Sequence, residues 1–387
     1  MNKLFLLAVF IYGICFGQKG QFELLHHHCT DGVERPFVIY KPKNTDNKNK
    51  KPLLVFLHGS VSSPNIKKNP VEYAEKSPLI TLADEGNFYL MFSYGQKGAT
   101  WFDEVGNSMI LSEIESIKQK FNIDENKIFL SGFSDGGSGV LYHSMTNPEP
   151  FAGFIALNGS LRVADKLGVF DIFPENMNRR PMYIINTKND MLYPISQMTP
   201  TIEYLQKSNP NIIYKALDGN HEMSYLETEK PFILDFIRKN YRLPFSEFYW
   251  EFSDDKKNKF NGITATKSNN YTKKNWHLPY SLKILNNKAD FGIVFDQNAK
   301  ELKVESFKNP NSTAEKMGVK KGDIILKMEQ DSMKNTYSPY IYLSKKQAND
   351  STSLTINRDG EILELHGKFN AGKEYEVFTN KEPSAKL

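Results

Sequence analysis

The sequence predicts a doubly wound α/β fold, built on a mostly parallel sheet and followed by a small β-rich domain. Three observations carry this expectation. Short apolar runs of strand length alternate with helical periods between residues 53 and 241. One run, residues 128–130, leads into Gly132-Phe133-Ser134-Asp135-Gly136 and then a helix. From residue 281 onward the pattern changes to short strands separated by turn residues.

Taken in order, residues 1–17 hold one lysine, Lys3, and then an apolar run over residues 4–16 that is too short for a membrane span. This reads as a signal peptide. Cys15 and Gly17 are small residues in alternation before Gln18, so cleavage is expected after Gly17 and export, periplasmic or extracellular, is implied. A lipid anchor on Cys15 is the alternative, and the bulky Tyr12 and Ile14 argue against it. Without the leader Cys29 is the last cysteine, so no intrachain disulfide can form and burial must supply the stability. The net charge of +4 over 387 residues, with lysines scattered among acidic residues, makes nucleic acid an unsuitable partner. No stretch after residue 17 is apolar enough to cross a bilayer.

Residues 33–42 read as an extended strand, and 43–51 as a solvated Lys/Asn-rich loop. Residues 53–57 form an uninterrupted apolar strand, of the kind covered on both faces of a parallel sheet, ending in His58-Gly59-Ser60-Val61. A helix near 78–83, a strand at 87–93 and a helical period over 108–121 lead to the serine strand. Further strands are expected at 151–157, 181–186 and 211–217, with a loop over 161–180 and a helix over 231–241.

The candidate chemistry lies at the C-terminal ends of these strands, where ligands bind in such sheets. Ser134 is the centre of a G-x-S-x-G turn, in which small neighbours allow a sharp strand-to-helix reversal that exposes the serine oxygen. Asp190 follows the strand 181–186 in a turn closed by Pro194, and His221 follows the strand 211–217. Nucleophile, orienting acid and base thus occur in the order Ser, Asp, His, each after its own strand. Backbone N–H groups of Asp135 and of Ser60 or Val61 are the candidate oxyanion donors. Asp218 is the rival acid, though it stands too close to His221 in a tight turn to approach Nδ1 well. His58 is read as ordering its loop and His143 as packing. His26 and His28 share a strand face, but no second ligand cluster accompanies them, so neither metal nor cofactor is expected.

These pieces resemble the α/β-hydrolase superfamily over about residues 30–241, through His58-Gly59, the glycines from 132 to 137, Asn189-Asp190 with Pro194, and Gly219-Asn220-His221. Within it the chain looks like the secreted esterase branch that includes feruloyl and acetylxylan esterases, polyhydroxybutyrate depolymerases and dienelactone-hydrolase relatives. The resemblance implies a serine hydrolase cleaving small-molecule or polymer carboxylic esters through an acyl-enzyme, with a peptidase of the same fold as the alternative and a non-catalytic scaffold as a third reading.

The stretch 243–279 reads as a connector whose two apolar islands, Trp250 and Trp276, argue for partial packing and a small strand pair. Residues 280–370 resemble a bacterial-type PDZ domain, most specifically over 314–326, and a tail follows over 371–387. The expected domains are therefore the signal peptide 1–17, a catalytic domain 18–242, the connector, the PDZ-like domain and the tail. The resemblance implies capture of a peptide C-terminus at Phe291, Gly292 and Ile293, beside the edge strand 293–295. A structural or self-association role is the alternative, because Gly292 is the only glycine of that loop and Asp290 precedes it.

Overall fold

The structure is a computed structural model that describes residues 20–43, 49–61, 69–266, 280–285, 287–296, 299, 301–334, 338–372 and 375–380, with the backbone alone for 280–285 and 375–380. The leader with Cys15, and Trp276, lie outside the described residues.

Eight strands form the central sheet: β1 (Gln21–His28), β2 (Glu34–Lys41), β3 (Lys51–Leu57), β4 (Tyr89–Ser93), β5 (Ile123–Phe133), β6 (Gly153–Leu157), β7 (Met182–Thr187) and β8 (Ile212–Leu217). Their order is β1-β2-β4-β3-β5-β6-β7-β8. Pairings from β4 to β8 are parallel, and β2 joins β1 and β4 antiparallel. This is the doubly wound α/β-hydrolase sheet. The central strands are apolar throughout because both faces are covered. Helices Glu104–Lys120, Asp135–Thr146 and Ile195–Ser208 pack on one face with Ile110, Val140 and Ile202. Helices Pro70–Glu75, Leu79–Gly86 and Leu226–Lys239 cover the other with Ala74, Leu82 and Ile233.

Sequence reading and structure differ at the edges. β1 has no apolar run and alternates half-buried with exposed residues, since it is an edge strand hydrogen-bonded on one side only. The expected loop at 161–180 contains the helix Leu161–Leu167 and a 3-10 turn at Pro174–Met177, and its Phe170, Ile172 and Phe173 are buried. The helix expected from residue 231 begins at Leu226, with Pro231 inside it. The helix expected from 108 begins at Glu104, because Asp103 Oδ1 caps it by accepting from Gly106 N at 2.8 Å.

The described part of the connector, residues 243–266, lies along the hydrolase surface. Asn176 Oδ1 and Nδ2 bond Glu251 N and O at 2.8 Å each, and Asn178 does the same for Tyr249 at 2.6 and 2.8 Å. Two side-chain amides thereby treat alternate connector residues as an added strand. Lys257 Nζ donates to Asn147 Oδ1 (2.6 Å) and Thr146 O at the C-terminal end of the serine helix, a position where a cation complements the helix dipole. Trp250 stacks on Phe260 with ring centroids 4.3 Å apart, against the strand pair β9 (Lys259–Phe260) and β10 (Ile263–Thr264).

The C-terminal region is β-rich and antiparallel, with its own core around Phe291, Leu302, Ile325, Met328, Leu354 and Ile356. It contains β11 (Tyr280–Leu285), β12 (Ala289–Asp290), β13 (Ile293–Phe295), β14 (Val304–Phe307), β15 (Ile324–Met328), β16 (Asp331–Ser332), β17 (Ser351–Arg358), β18 (Glu361–Lys368), β19 (Asn370–Ala371) and β20 (Tyr375–Asn380), with helices Thr313–Lys316 and Ser338–Ser344. β16-β15-β17-β18 form one sheet, and β11 with β20, β12 with β19 and β13 with β14 form pairs. β18, absent from the sequence reading, completes a hairpin with β17 around the turn Asp359-Gly360, both residues at positive φ. Among the described residues no helix is long and apolar enough to cross a membrane.

Candidate active site

Ser134 directly follows β5 with φ 59° and ψ −120°, a backbone conformation that non-glycine residues rarely hold. The flanking glycines follow from contact distances. A Cβ on Gly132 would sit 2.3 Å from Gly136 O, and one on Gly136 would sit 1.9 Å from Leu57 O. Only hydrogen at those positions lets the helix Asp135–Thr146 start directly against β3 and β5. Its first-turn N–H groups, that of Asp135 among them, have no intrahelical acceptor and point toward the serine end.

His221 Nε2 lies 2.7 Å from Ser134 Oγ, and its Nδ1 lies 2.7 Å from Asp190 Oδ2. The imidazole stands between the rings of Phe133 and Tyr193, with centroids 5.0 and 5.3 Å away. Asp190 has a fully buried side chain and four hydrogen bonds. Its Oδ1 accepts from Leu192 N and Tyr193 N (2.9 Å each), and its Oδ2 accepts from Asn158 Nδ2 (2.9 Å) as well as from the imidazole. A carboxylate so surrounded by donors is held in place. Asp218 instead pairs with Lys188 at 2.9 Å on the surface, its side chain 88% exposed.

Asn158, at φ 45° after β6, was not singled out by sequence reasoning. It is buried, donates to Thr187 Oγ1 (2.6 Å) and accepts from Tyr225 OH (2.7 Å), so it ties the acid to two neighbouring elements. Tyr193 was missed too. Its hydroxyl donates to Asp135 Oδ1 (3.1 Å), and burial together with that carboxylate raises its pKa. The usable signals were slight: an asparagine directly after an apolar strand, and a tyrosine inside the turn of the acid.

On the other side of the serine, Gly59 approaches so closely that a Cβ there would lie 2.9 Å from Ser134 Cβ. Ser60 follows at φ 51°, and Val61 N donates to Asp135 Oδ2 at 3.2 Å. Of the two loop amides singled out as oxyanion donors, that of Val61 is thus engaged by a carboxylate. His58 is buried, with Nδ1 2.6 Å from Gly59 O and Nε2 3.1 Å from Gly95 O, and burial pushes its pKa down to about 4. His143 is buried beside Asn147, and burial lowers its pKa to about 3. His28 faces Glu34 on the surface at 3.3 Å, and the described residues contain no group of three potential metal ligands.

The arrangement has parts that acyl transfer requires: a serine oxygen beside an imidazole, a buried carboxylate orienting that imidazole, and a helix start directly after the serine. The model of the family described as Phospholipase/Carboxylesterase matches residues 43–241, just over half of the chain. Among curated proteins, a bifunctional acetylxylan esterase/xylanase of Neocallimastix patriciarum is 27% identical over 173 residues, covering 42% of this chain and 22% of that protein. The chain therefore spans about a fifth of the length of that curated relative. Among solved structures, the fluorophosphonate-binding serine hydrolase FphF of Staphylococcus aureus matches at 18% identity over 56% of this chain and 98% of its own (TM-score 0.45). A ferulic acid esterase matches at 13% identity over 57% and 98% (TM-score 0.46), and the Pyrococcus horikoshii acylaminoacyl peptidase at 14% over 60% and 44% (TM-score 0.42).

Proposed function

The chain belongs to the phospholipase/carboxylesterase family, and from that premise we propose that it is an exported serine hydrolase of carboxylic esters, with Ser134 as nucleophile, His221 as base and Asp190 as orienting acid. The observation that carries the reading is the unbroken line of two 2.7 Å contacts from Ser134 Oγ through the imidazole to a buried carboxylate. As Ser134 Oγ attacks the ester carbonyl, its proton moves to His221 Nε2, and Asp190 stabilises the imidazolium that forms. The tetrahedral oxyanion takes hydrogen bonds from Asp135 N and from the loop at Ser60. The proton then passes to the leaving alcohol, and water releases the acid from the acyl-serine. In this reading the β-rich region is a PDZ-like unit that takes a peptide C-terminus near Phe291, Gly292 and Ile293. That a matched curated relative is a bifunctional acetylxylan esterase/xylanase favours esters over peptides.

Fluorophosphonate labelling of the chain from Gln18 tests the assignment. Wild type should label, while Ser134→Ala should not. His221→Ala should lower kcat/KM on a nitrophenyl acetate by roughly three orders of magnitude or more. A folded wild type that stays unlabelled would sink the reading, and peptide anilides turned over faster than esters would transfer it to a peptidase.

A further inference from the structure

A cavity of about 340 Å³ lies where the C-terminal region meets the turn that follows Asp190. One wall is Phe291 and Ile293, leading into β13; the second is Tyr340 and Leu343 of the helix Ser338–Ser344; the third is Met191 and Leu192. β13 has β14 on one side, and among the described residues no strand pairs with the other. Gly292 O accepts from Lys308 N, Val294 pairs with Ser306, and Asp296 N donates to Lys303 O. By antiparallel alternation the N–H and C=O of Ile293 then face away from β14. A strand edge along an apolar cavity is a template for an extended peptide, whose backbone bonds the edge while alternate side chains enter the cavity. Lys288 and Lys308 line the site against one acid, Asp290, so an occupant with an acidic end is favoured.

The third wall adds something that strand addition alone does not require. Leu192 N and Tyr193 N are the donors that hold Asp190 Oδ1, and Met191, directly before them, is 42% exposed. With the peptide of the PDZ-like reading as the occupant, extended and with an acidic end, the geometry points to the Met191–Leu192–Tyr193 turn as the part through which it acts on the hydrolase. An occupant seated on Met191 and Leu192 restrains the turn whose amides position the acid, so occupancy and turnover are linked. The docking rests on the PDZ-like reading, and the link to turnover on the serine-hydrolase reading.

The test uses the full chain and an arrayed library of fluorescein-labelled heptapeptides with free C-terminal carboxylates and randomised last four positions. Pools with apolar residues at alternate positions should bind. Tyr340→Asp, at a 56% exposed position outside the catalytic set, should weaken them about tenfold or more while leaving basal nitrophenyl acetate turnover unchanged. Bound peptide should slow hydrogen exchange at the amides of Leu192 and Tyr193 and change ester turnover about twofold or more. If no pool binds, or if Tyr340→Asp binds equally well, the docking site is overturned. Dimerisation abolished by Tyr340→Asp, with no peptide bound, would overturn it in favour of a second copy of the chain. Binding without altered exchange at residues 192 and 193 overturns the linkage. Altered exchange in a chain that turns over no ester would leave docking standing and remove the serine-hydrolase reading, and the link to turnover with it.

Discussion

At the scale of single residues, Ser134, Asp190 and His221 could be singled out because each follows its own strand in a restrictive order, and their side chains meet at two 2.7 Å contacts. The residues around them could not. Asn158, Tyr193 and Tyr225 act through contacts made only once β6, β7 and the helix Leu226–Lys239 converge, and no local spacing encodes that. Asp135 is the clearest case of a side chain that no local pattern flags. Its carboxylate joins Val61 N of the loop after β3 to Tyr193 OH of the turn after β7. We expect Asp135→Ala to lower kcat on a nitrophenyl acetate by roughly tenfold to a hundredfold with little change in KM, as suits a positioning residue. Asp135→Asn, whose amide oxygen can still accept from Val61 N, should recover most of that loss. Equal loss in both variants would point to the charge and not the hydrogen bond.

At the scale of elements, buried strands read well because an apolar run covered on both faces leaves little ambiguity, whereas edge strands and short helices read poorly. β1 and β18 are half exposed, and the connector owes its path to Asn176 and Asn178, residues that sit in what reads as a loop. One contact between elements carries a pH dependence. Glu113, on the helix Glu104–Lys120, is fully buried against the sheet, and neither carboxyl oxygen has a partner of full hydrogen-bond geometry. Burial pushes its pKa up to about 8, with Ser93 offsetting this only in part. Between about pH 4.5 and pH 8 the folded chain keeps a proton that the unfolded chain has released, so this group makes stability fall as pH rises, by about 1.4 kcal/mol per unit. Glu113→Gln should therefore lose less melting temperature than wild type between pH 5 and pH 8. Parallel melting curves across that range would refute the assignment.

At the scale of the whole molecule, a large α/β unit followed by a β-rich region was legible from the change in strand spacing after residue 280, although the pairing of β19 and β20 back onto β12 and β11 was not. Such closures join segments about eighty to a hundred residues apart, beyond the reach of any local pattern. The backbone at Ser134 has a consequence for the molecule entire. A residue held at φ 59° and ψ −120° costs the fold about 1–3 kcal/mol, and glycine at that position would not incur most of it. Ser134→Gly should melt a few degrees above wild type by calorimetry, with Ser134→Ala showing no such gain; a Ser134→Gly that melts lower would mean that the serine's hydrogen bond outweighs the strain. On the proposed assignment of Ser134, then, one of the shortest mutational routes to greater durability passes through the loss of the nucleophile, so selection for robustness and selection for turnover would pull against each other at a single codon.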